Sequence, residues 1–494
     1  MHHNILMVCD FFHPNIGGVE NHIYILAVNL LQRGHKVVIV THSYLPSRVG
    51  IRWLVPGLKV YHVPLKVLIS NATLPNYLTF LPYIRNIVLR ERITIVHGHA
   101  SLSSYAQEAI LHAHLFGSHF ESMFGWWKGR EGKEKDRKGQ STEHETRREI
   151  RTVFTDHSLF ALDDATGILT NKLLAAALNN VDAVICVSHT ARENTILRAN
   201  LDPRTSYVIP SAIIAEQFRP PSSPLPIDPI TIVVVSRLAY RKGIDLLVAS
   251  APRICSLYPN VNFLIGGSGP KLINLLQMRE AYRLQDRITL LGAVNHHEVR
   301  DILVKGNIYL NTSLTESFGI GLLEAACTGC FIVSTRVGGV PEVLPKDMIE
   351  FAMPNEDDVV RALTKAIKII TTGKHDPQQA HERVSNMYTW DDVACRTEKV
   401  YEDIMNKEPV ELWTRMHKTL RVGPFAGIIY LIILIVECLF FLWLELVTPR
   451  RDIHYVEEDW KPEQFRKVAR EEKEREHKED QLDQTSNSPV RQLY

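Results

Sequence analysis

Short apolar segments alternate with amphipathic helical segments along most of this chain, and this alternation restricts the folds open to it. Near the N-terminus, strands are predicted at residues 5–9 and 36–41, on either side of a helix at 19–33. Further strands are predicted at residues 93–96, 152–155 and 183–187. A chain of this kind is predicted to be an α/β protein whose parallel sheet is covered by helices on both faces.

A proline-rich segment divides the alternation into two blocks. Residues 217–229 contain five prolines, which are incompatible with a helix interior or a central strand, so a linker is predicted there. Because 494 residues exceed what one hydrophobic core organises, we expect domains at residues 1–216 and 230–410. Strands of the second domain are predicted at 230–235, 261–265, 288–291, 308–311 and 331–334, with helices at 244–257 and 271–284. Two doubly wound, Rossmann-like domains facing a cleft are the simplest architecture.

One highly charged segment interrupts the first block. In residues 128–151, fifteen of 24 side chains are charged, and almost none suits a core. A short connection would normally suffice before the strand that follows. We expect an insertion over residues 118–151 that is disordered or solvated and has no catalytic role.

A long apolar segment near the C-terminus predicts a transmembrane helix. Residues 425–447 are almost all apolar, enough to cross a bilayer core of about 30 Å. Glu437 lies near mid-span, where lipid contact is costly, so we expect it to meet a partner helix. A buried core helix is the weaker alternative, because the two domains already account for the expected cores. The polar tail at residues 448–494 is predicted to be disordered.

Composition and the N-terminus exclude other classes. A formal net charge of +1 and the lack of a nucleic-acid motif argue against nucleic-acid binding. The seven scattered cysteines suit a reducing compartment. The N-terminal residues lack the pattern of a signal peptide, so we expect the bulk of the chain to fold in the cytosol. Basic residues flank both ends of the apolar segment, and charge alone does not fix its orientation.

Two basic residues and two glycines follow strands of the second domain. Arg237 and Lys242 come after its first strand, at the sheet edge where α/β folds bind ligands. Cations there can neutralise a diphosphate, although a solvated surface is the alternative interpretation. Gly267 and Gly269 lie between the next strand and helix, where glycine lets backbone approach a nucleotide. A tight turn explains them equally well.

Two carboxylates follow in the same domain. Glu316 and Glu324 are eight positions apart, at a helix start and about two turns into that helix, so both lie near one face. Carboxylates accept hydrogen bonds from ribose and sugar hydroxyls. Phe318 and Gly319, at the helix start, could present free N–H groups to a phosphate.

The first domain also places polar residues after strands. Gly18 opens the first helix, without the GxGxxG pattern of a dinucleotide site. His97, His99 and the group Asp156-His157-Ser158 follow strands and are expected to face the cleft. Their spacing is not that of a typical zinc site. For His157, a structural role and a catalytic role are equally open.

Several motifs in order resemble a known family. Gly-Gly-Val-Glu at 17–20, Ser-Arg at 236–237 with Arg-Lys-Gly at 241–243, and the segment 316–324 are similar to retaining family 4 glycosyltransferases of the glycosyltransferase-B fold. Phe-Thr-Asp-His-Ser-Leu-Phe at 154–160 and similar segments resemble, more closely, the PIG-A family of phosphatidylinositol N-acetylglucosaminyltransferase catalytic subunits. The resemblance covers about residues 4–401 and continues into a single C-terminal span.

This resemblance implies a reaction. N-acetylglucosamine would move from UDP-N-acetylglucosamine to phosphatidylinositol with retention of configuration, the first step of GPI-anchor biosynthesis, on the cytosolic face of the endoplasmic reticulum membrane. No metal is expected, and the chain would work with other subunits of a membrane complex, one of which could pair with Glu437. The implied roles are diphosphate stabilisation by Arg237 and Lys242, sugar orientation by Glu316, ribose binding by Glu324, backbone approach at Gly18 and lining of the reacting centre by His157.

Departures from the family pattern leave alternatives open. Where the family reads Pro-Asn-Ala-Val-Asp, residues 210–214 read Pro-Ser-Ala-Ile-Ile, and the charged insertion is also foreign to the family. A lipid-directed mannosyltransferase or other glycosyltransferase of the same fold is the nearest alternative. A nucleotide-sugar epimerase would not need the span. A non-catalytic scaffold subunit is the remaining alternative, against which the intact Arg237, Lys242, Glu316 and Glu324 argue.

Overall fold

The fold is built on two large, mainly parallel sheets, seen in a computed structural model. It describes residues 2–456, apart from 16, 45–47, 66, 70–71, 74, 118–149, 160–164, 224, 409 and 411, together with residue 470. We call residues 4–208 the N-terminal body and residues 230–387 the C-terminal body. Residues 118–149 of the predicted charged insertion, and most of the predicted polar tail, lie outside the described residues.

The N-terminal body contains an eight-stranded sheet in the order β10-β9-β8-β7-β1-β2-β4-β3. All neighbouring strands are parallel except the edge strand β3, which runs antiparallel to β4. Its strands are β1 (Asn4–Val8), β2 (Lys36–His42), β3 (Gly50–Val55), β4 (Leu58–Val63), β7 (Ile95–His99), β8 (Arg151–Asp156), β9 (Ala183–Cys186) and β10 (Ser206–Val208). A separate two-stranded sheet pairs β5 (Val67–Ile69) with β6 (Ala72–Thr73).

The C-terminal body contains a six-stranded, wholly parallel sheet in the order β13-β12-β11-β14-β15-β16. Its strands are β11 (Ile230–Val235), β12 (Val261–Gly266), β13 (Ile288–Gly292), β14 (Ile308–Asn311), β15 (Phe331–Thr335) and β16 (Ile349–Ala352). Strand β15 is buried at every residue and β11 at four of its six residues, which fits a sheet covered on both faces. The α/β fold with two Rossmann-like sheets is therefore confirmed.

Helices connect the strands and cover the sheets. In the N-terminal body they are α1 (Gly18–Gln32), α2 (Tyr77–Arg90), α3 (Ser104–Ala113), α4 (Ala165–Leu178) and α5 (His189–Ala199). In the C-terminal body they are α6 (Ile244–Leu257), α7 (Leu272–Ala281), α8 (Val299–Leu303), α9 (Ile320–Cys327), α10 (Glu356–Thr371) and α11 (Pro377–Met387). Three more follow: α12 (Trp390–Met405), α13 (Leu412–Leu420) and α14 (Ala426–Val447).

Helix α12 returns to the N-terminal body. Trp390, Ala394 and Tyr401 are buried in the same apolar cluster as Ile5 and Ile39 of the first sheet. The predicted boundary at residue 410 grouped this helix with the second sheet by chain order. Packing groups it with the first, because the apolar stripe of α12 covers α1 and the sheet beneath it.

Helix α14 is 22 residues long with a mean hydropathy of 2.6 over its most apolar window, enough to cross a membrane by length and composition. One of its faces packs on the N-terminal body, where Cys438 and Phe441 join a core cluster with Phe80 and Ile84 of α2. Glu437 is 1% exposed, and its Oε2 lies 3.5 Å from Nδ1 of His112 on α3. Within this chain Glu437 thus lies against a helix of the N-terminal body, and its contact with a helix of another subunit stays a prediction.

Candidate functional site

The C-terminal sheet has a topological switch point between β11 and β14. From β11 the chain winds outward through β12 and β13, and it then returns to build β14, β15 and β16 on the other side. Open α/β sheets bind ligands in the crevice outside the carboxyl ends of such strands. Arg237 lies just after β11, and Glu316 lies in the segment that follows β14. The structure therefore places both predicted segments at the expected edge.

Lys242 and Glu316 form an ion pair at this edge. The ammonium Nζ of Lys242 contacts Oε1 of Glu316, and Ser313 Oγ donates to the same oxygen at 2.8 Å. The two side chains are 30% and 15% exposed, so the pair lines the crevice without being sealed from ligand. The pair has one positive charge to offer a phosphate and one carboxylate oxygen, Oε2, to offer a hydroxyl.

The backbone around Lys242 is fixed by close packing. Thr312 Oγ1 donates to the carbonyl oxygen of Lys242 at 2.9 Å. Gly243 has φ of 63°, and a Cβ there would lie 1.8 Å from the carbonyl oxygen of Thr312. Only glycine fits this left-handed, crowded position, so the sequence Lys242-Gly243 is what lets the lysine approach the segment after β14.

Gly267 and Gly269 hold the loop that carries Arg237. A Cβ on Gly267 would lie 1.9 Å from the carbonyl oxygen of Ser236, and one on Gly269 would lie 2.4 Å from that of Leu238. Both glycines have φ in the left-handed range. Their absent side chains therefore allow two backbone loops to touch, which leaves the Arg237 side chain exposed at the crevice. Nucleotide contact by these two glycines stays a prediction.

Glu324 lies on α9, half-buried, and burial raises its pKa to about 7. Burial, and then the charges of Glu324 and Glu316, raise the pKa of the buried Tyr309 phenol on β14. Glu316 lies in the loop four residues before α9 begins at Ile320, so the prediction that it opens the helix that carries Glu324 is wrong; the turn at Gly319, with φ of 96°, separates the two. A carboxyl group with a pKa near neutrality changes its charge within the physiological pH range.

If Glu324 binds the nucleotide-sugar as predicted, its raised pKa makes that binding depend on pH. The group is protonated below about pH 7 and ionised above it. If the carboxylate binds the ribose hydroxyls, KM for the nucleotide-sugar falls by up to roughly tenfold between about pH 6 and about pH 8. Glu324→Gln should raise KM at the higher pH and flatten the profile. The matched control is Glu356→Gln, an exposed partner of Arg253 in the same body, which should keep the wild-type profile. An unchanged slope in Glu324→Gln would contradict this role.

Phe318 and Gly319 precede α9 rather than opening it. Phe318 is 4% exposed, and its ring packs edge-on against Tyr388 at 5.8 Å between centroids. Gly319 has φ of 96°, and the helix begins at Ile320. The Phe318 side chain therefore belongs to the core, and only the backbone at this turn could meet a phosphate. That contact stays a prediction.

Gly18 begins α1, after β1 and its loop in the N-terminal body. A Cβ there would meet no atom within 4 Å, whereas one on Gly17 would lie 2.4 Å from a carboxylate oxygen of Glu20. The space in front of Gly18 is thus open, as close approach of a ligand to the backbone would require. Contact of the Gly18 backbone with a ligand stays a prediction.

His157 belongs to a group of three histidines from separate elements. Its Nε2 lies 3.4 Å from Nδ1 of His99 at the end of β7, and its ring centroid lies 4.6 Å from that of His22 on α1. One ring nitrogen from each of the three lies within 4.8 Å of the others. Burial, and then neighbouring histidines, lower the pKa of His157 and His99, so these imidazoles are neutral at pH 7.

His22 was not predicted from the sequence, because its only signal is a position one turn into the first helix. The absence of a metal remains an expectation. The three imidazoles come from distant segments of the chain, so their spacing in the sequence does not reveal that they lie together.

Two residues expected at the cleft are buried elsewhere. His97 is 0% exposed, and its ring nitrogens bond to Tyr401 and Thr155 at 2.7 Å each. Asp156 is also 0% exposed; its carboxylate accepts from Ser101 and lies 3.4 Å from Arg198. Both were wrongly expected to face the cleft. His97 lies on the same face of β7 as His99 but further from the end of the strand, where Tyr401 of α12 covers it. Asp156 is enclosed by Ser101 and Arg198.

Direct hydrogen bonds join the two bodies beside His157. Ser317 Oγ donates to the carbonyl oxygen of His157 at 2.6 Å, and Ser188 Oγ donates to that of Ser317 at the same distance. Ser317 directly follows Glu316 in the chain. These bonds therefore bring the histidine group of one body next to the Lys242–Glu316 pair of the other.

Three family comparisons match successive parts of the chain. Residues 42–125 match the family PIGA (GPI anchor biosynthesis), residues 107–217 match Glycosyltransferase Family 4, and residues 216–385 match Glycosyl transferases group 1. The last match includes Arg237, Lys242, Glu316 and Glu324.

Relatives of full length decide the family. The phosphatidylinositol N-acetylglucosaminyltransferase gpi3 subunit of Schizosaccharomyces pombe is 47% identical over 447 residues, covering 90% of this chain and 91% of that protein. Relatives named as subunits of the same enzyme are 46% identical in Arabidopsis thaliana, covering 91% and 93%, and 45% identical in Homo sapiens, covering 90% and 86%. This chain belongs to the PIGA family of phosphatidylinositol N-acetylglucosaminyltransferase subunits. The resemblance inferred from the motifs is confirmed.

Solved structures place the fold. Sucrose-phosphate synthase from Thermosynechococcus elongatus matches with a TM-score of 0.60 at 20% identity, covering 82% of this chain and 99% of that one. Anabaena HepE in complex with UDP matches with a TM-score of 0.57 at 14% identity, covering 81% and 100%. At such identities the likeness concerns the fold alone. The glycosyltransferase-B fold is thus confirmed, and the chain is a glycosyltransferase of a family named for a GPI-anchor enzyme.

Proposed function

We propose that this chain is the catalytic subunit that transfers N-acetylglucosamine from UDP-N-acetylglucosamine to phosphatidylinositol, with retention of configuration, as the first step of GPI-anchor biosynthesis. The observation that carries the proposal is the Lys242–Glu316 pair at the switch point of the C-terminal sheet, next to His157. The acceptor and the transferred sugar in this proposal are those in the names of the relatives. The Lys242–Glu316 ion pair is intact and partly exposed to ligand, which argues against a non-catalytic scaffold subunit.

Basic and acidic residues have different roles in this proposal. The exposed guanidinium of Arg237 and the ammonium of Lys242 stabilise the diphosphate as it leaves. Glu316 holds Lys242 in place with one oxygen and orients the sugar hydroxyls with the other. Glu324 accepts hydrogen bonds from the ribose, and the neutral imidazole of His157 lines the reacting centre from the opposite body.

We also propose the cellular setting. The relatives are named as subunits, and we infer that this chain works with other subunits of the same enzyme. The lipid acceptor and the apolar helix α14 support a place at the endoplasmic reticulum membrane, with both bodies on the cytosolic side.

The direct test supplies donors one at a time. Membranes that carry this chain and its partner subunits are incubated with phosphatidylinositol and labelled UDP-N-acetylglucosamine, UDP-glucose or GDP-mannose. We expect a labelled glycolipid from UDP-N-acetylglucosamine alone. Membranes lacking this chain provide the blank. Label entering from GDP-mannose instead would favour a lipid-directed mannosyltransferase, and no label from any donor would favour a scaffold.

A further inference from the structure

Three histidine side chains from separate elements meet beside the junction of the two bodies. His22 lies on α1, His99 ends β7, and His157 directly follows β8. One ring nitrogen from each lies within 4.8 Å of the other two. The distance between Nδ1 of His99 and Nε2 of His157 is 3.4 Å. The three imidazoles therefore place nitrogen atoms around one small volume.

His97, two residues before His99 on the same strand, shows how hydrogen bonds satisfy a structural histidine in this body. Its two ring nitrogens lie 2.7 Å from the hydroxyl oxygens of Tyr401 and Thr155. His99 has one contact, at 3.4 Å, and its Nε2 is buried without a hydrogen-bond partner among the residues that the structure describes. Buried polar groups are rarely so poorly satisfied, so a ligand from outside the chain would account for the arrangement.

All three imidazoles of this group are neutral at pH 7. Burial lowers the pKa of His22 to about 4. Burial, and then neighbouring histidines, lower the pKa of His99 and of His157 well below the ordinary value. A neutral imidazole carries a lone pair on one nitrogen and is the form that binds a metal ion. The group can therefore offer three nitrogen ligands without first losing a proton.

The distances between the ring nitrogens suit a zinc ion. Zinc binds imidazole nitrogen at about 2.0–2.1 Å in tetrahedral sites, so two such nitrogens lie about 3.4 Å apart. The ring nitrogens of His99 and His157 are already at that distance. The nitrogen of His22 needs to move by at most about 1.4 Å, which a rotation of its side chain can provide. Three histidines with an open fourth position are a known zinc arrangement in enzymes.

The chemistry of the three side chains favours zinc over magnesium or calcium. Magnesium and calcium take oxygen ligands, above all carboxylates, whereas imidazole suits Zn²⁺. The group contains no carboxylate. Asp156 is adjacent to His157 in the chain, but its carboxylate is enclosed by Ser101 and Arg198. A borderline cation is therefore the ligand that these residues select.

An ion can reach the group from the start of α1. Gly18 precedes His22 by four residues, so the two lie on one face of the helix. A Cβ on Gly18 would meet no atom of the described residues within 4 Å, so the space beside it is open. His157 is itself only partly buried. Neither side of the group is sealed from solvent.

We propose that His22, His99 and His157 form a binding site for Zn²⁺, completed by a water molecule, and that the bound ion inhibits the transferase. The ion takes the ring nitrogen with which His157 would meet the sugar, beside the Lys242–Glu316 pair. The inhibition rests on the proposed function, whereas the binding of zinc does not. A reaction that needs no metal is compatible with this site, because the ion blocks the reacting centre.

The first test measures metal binding without enzyme activity. The full chain, purified in detergent and freed of metal by a chelator, is titrated with Co²⁺, whose visible absorption reports four-coordinate binding. We expect a band that saturates at about one Co²⁺ per chain and that Zn²⁺ abolishes. His22→Gln and His99→Gln should lose the band, and His297→Gln, at an exposed histidine of the C-terminal body, should keep it. No band in the wild type, or an unchanged band in both cluster variants, would overturn the proposal.

A second measurement does not depend on how a variant folds. X-ray absorption of the wild-type chain loaded with about one equivalent of Zn²⁺ identifies the ligand atoms. We expect nitrogen and oxygen neighbours at about 2.0–2.1 Å, with the outer scattering pattern of imidazole rings. Sulfur at about 2.3 Å would place the ion on a cysteine, such as the partly exposed Cys395, and would rule out the histidine site.

The third test measures inhibition in native membranes that contain the complete complex. Each rate at a buffered Zn²⁺ concentration is divided by the rate of the same variant without zinc. We expect inhibition that a chelator reverses, and a half-inhibiting concentration at least about tenfold higher in His22→Gln than in the wild type or His297→Gln. Full wild-type activity at Zn²⁺ concentrations that fill the site would contradict the inhibitory role. Absence of transfer from every donor would contradict the proposed function, while the Co²⁺ spectrum would still decide whether the metal site exists.

Discussion

Replacing Lys242 by alanine is expected to reduce kcat by about 10²–10³-fold, with a smaller rise in KM for the nucleotide-sugar. The charge that leaves with the diphosphate develops fully only in the transition state, so a cation fixed at that point acts mainly on kcat. Lys242 is fixed by Glu316, by Thr312 and by the turn at Gly243. The measurement is initial rates in membranes that contain the complete complex.

The matched control is Lys365→Ala. Lys365 lies in the same body and forms a carboxylate contact of the same kind, at 2.7 Å from Glu350, but on the surface of α10. Its exposed ion pair is worth at most about 1 kcal/mol, so activity should stay near that of the wild type. Equal losses in the two variants would indicate instability rather than catalysis. Near-normal kcat for Lys242→Ala would contradict its assigned role.

Strands and helices with a clear apolar periodicity were predictable from the sequence. Strand β11 and helix α6 have the predicted bounds, and most other predicted strands differ by one or two residues. The edge strand β3 was not predicted, because a half-exposed edge lacks the continuous apolar run of a central strand. The return of α12 to the first sheet depends on contacts between distant segments, which local periodicity does not contain.

The candidate site was predictable where chain order and sheet topology coincide. Arg237 and Lys242 follow β11, and Glu316 follows β14, so the parallel sheet brings them to one edge. The contact of Glu437 with His112 was not predictable, because an apolar sequence does not specify which surface packs against it. His22 was missed for a related reason: its contact with His157 depends on how α1 packs across two strands of the first sheet.

Replacing Glu316 by glutamine is expected to reduce kcat by roughly 10²-fold. The amide keeps the shape of the side chain but loses the charge that holds the ammonium of Lys242. It also weakens the acceptor that the sugar hydroxyls would use. The matched control is Glu350→Gln, because Glu350 is 13% exposed against 15% for Glu316 and also pairs with cations of the same body. That variant should keep most of its activity, and a comparable loss in it would contradict a special role for Glu316.

The double variant Lys242→Ala with Glu316→Gln tests whether the two residues contribute to kcat together, as an ion pair, or independently. Groups in direct contact show interaction energies of about 0.5–3 kcal/mol, whereas independent groups add. If Glu316 acts largely by holding Lys242 in place, the double variant should be little worse than Lys242→Ala alone. If each residue touched a different part of the donor and nothing else, their losses would multiply to about 10⁴–10⁵-fold. A loss of kcat near 10⁴–10⁵-fold would therefore mean that the ion pair with Glu316 does not position Lys242. A loss close to that of Lys242→Ala alone would mean that the ion pair does position it.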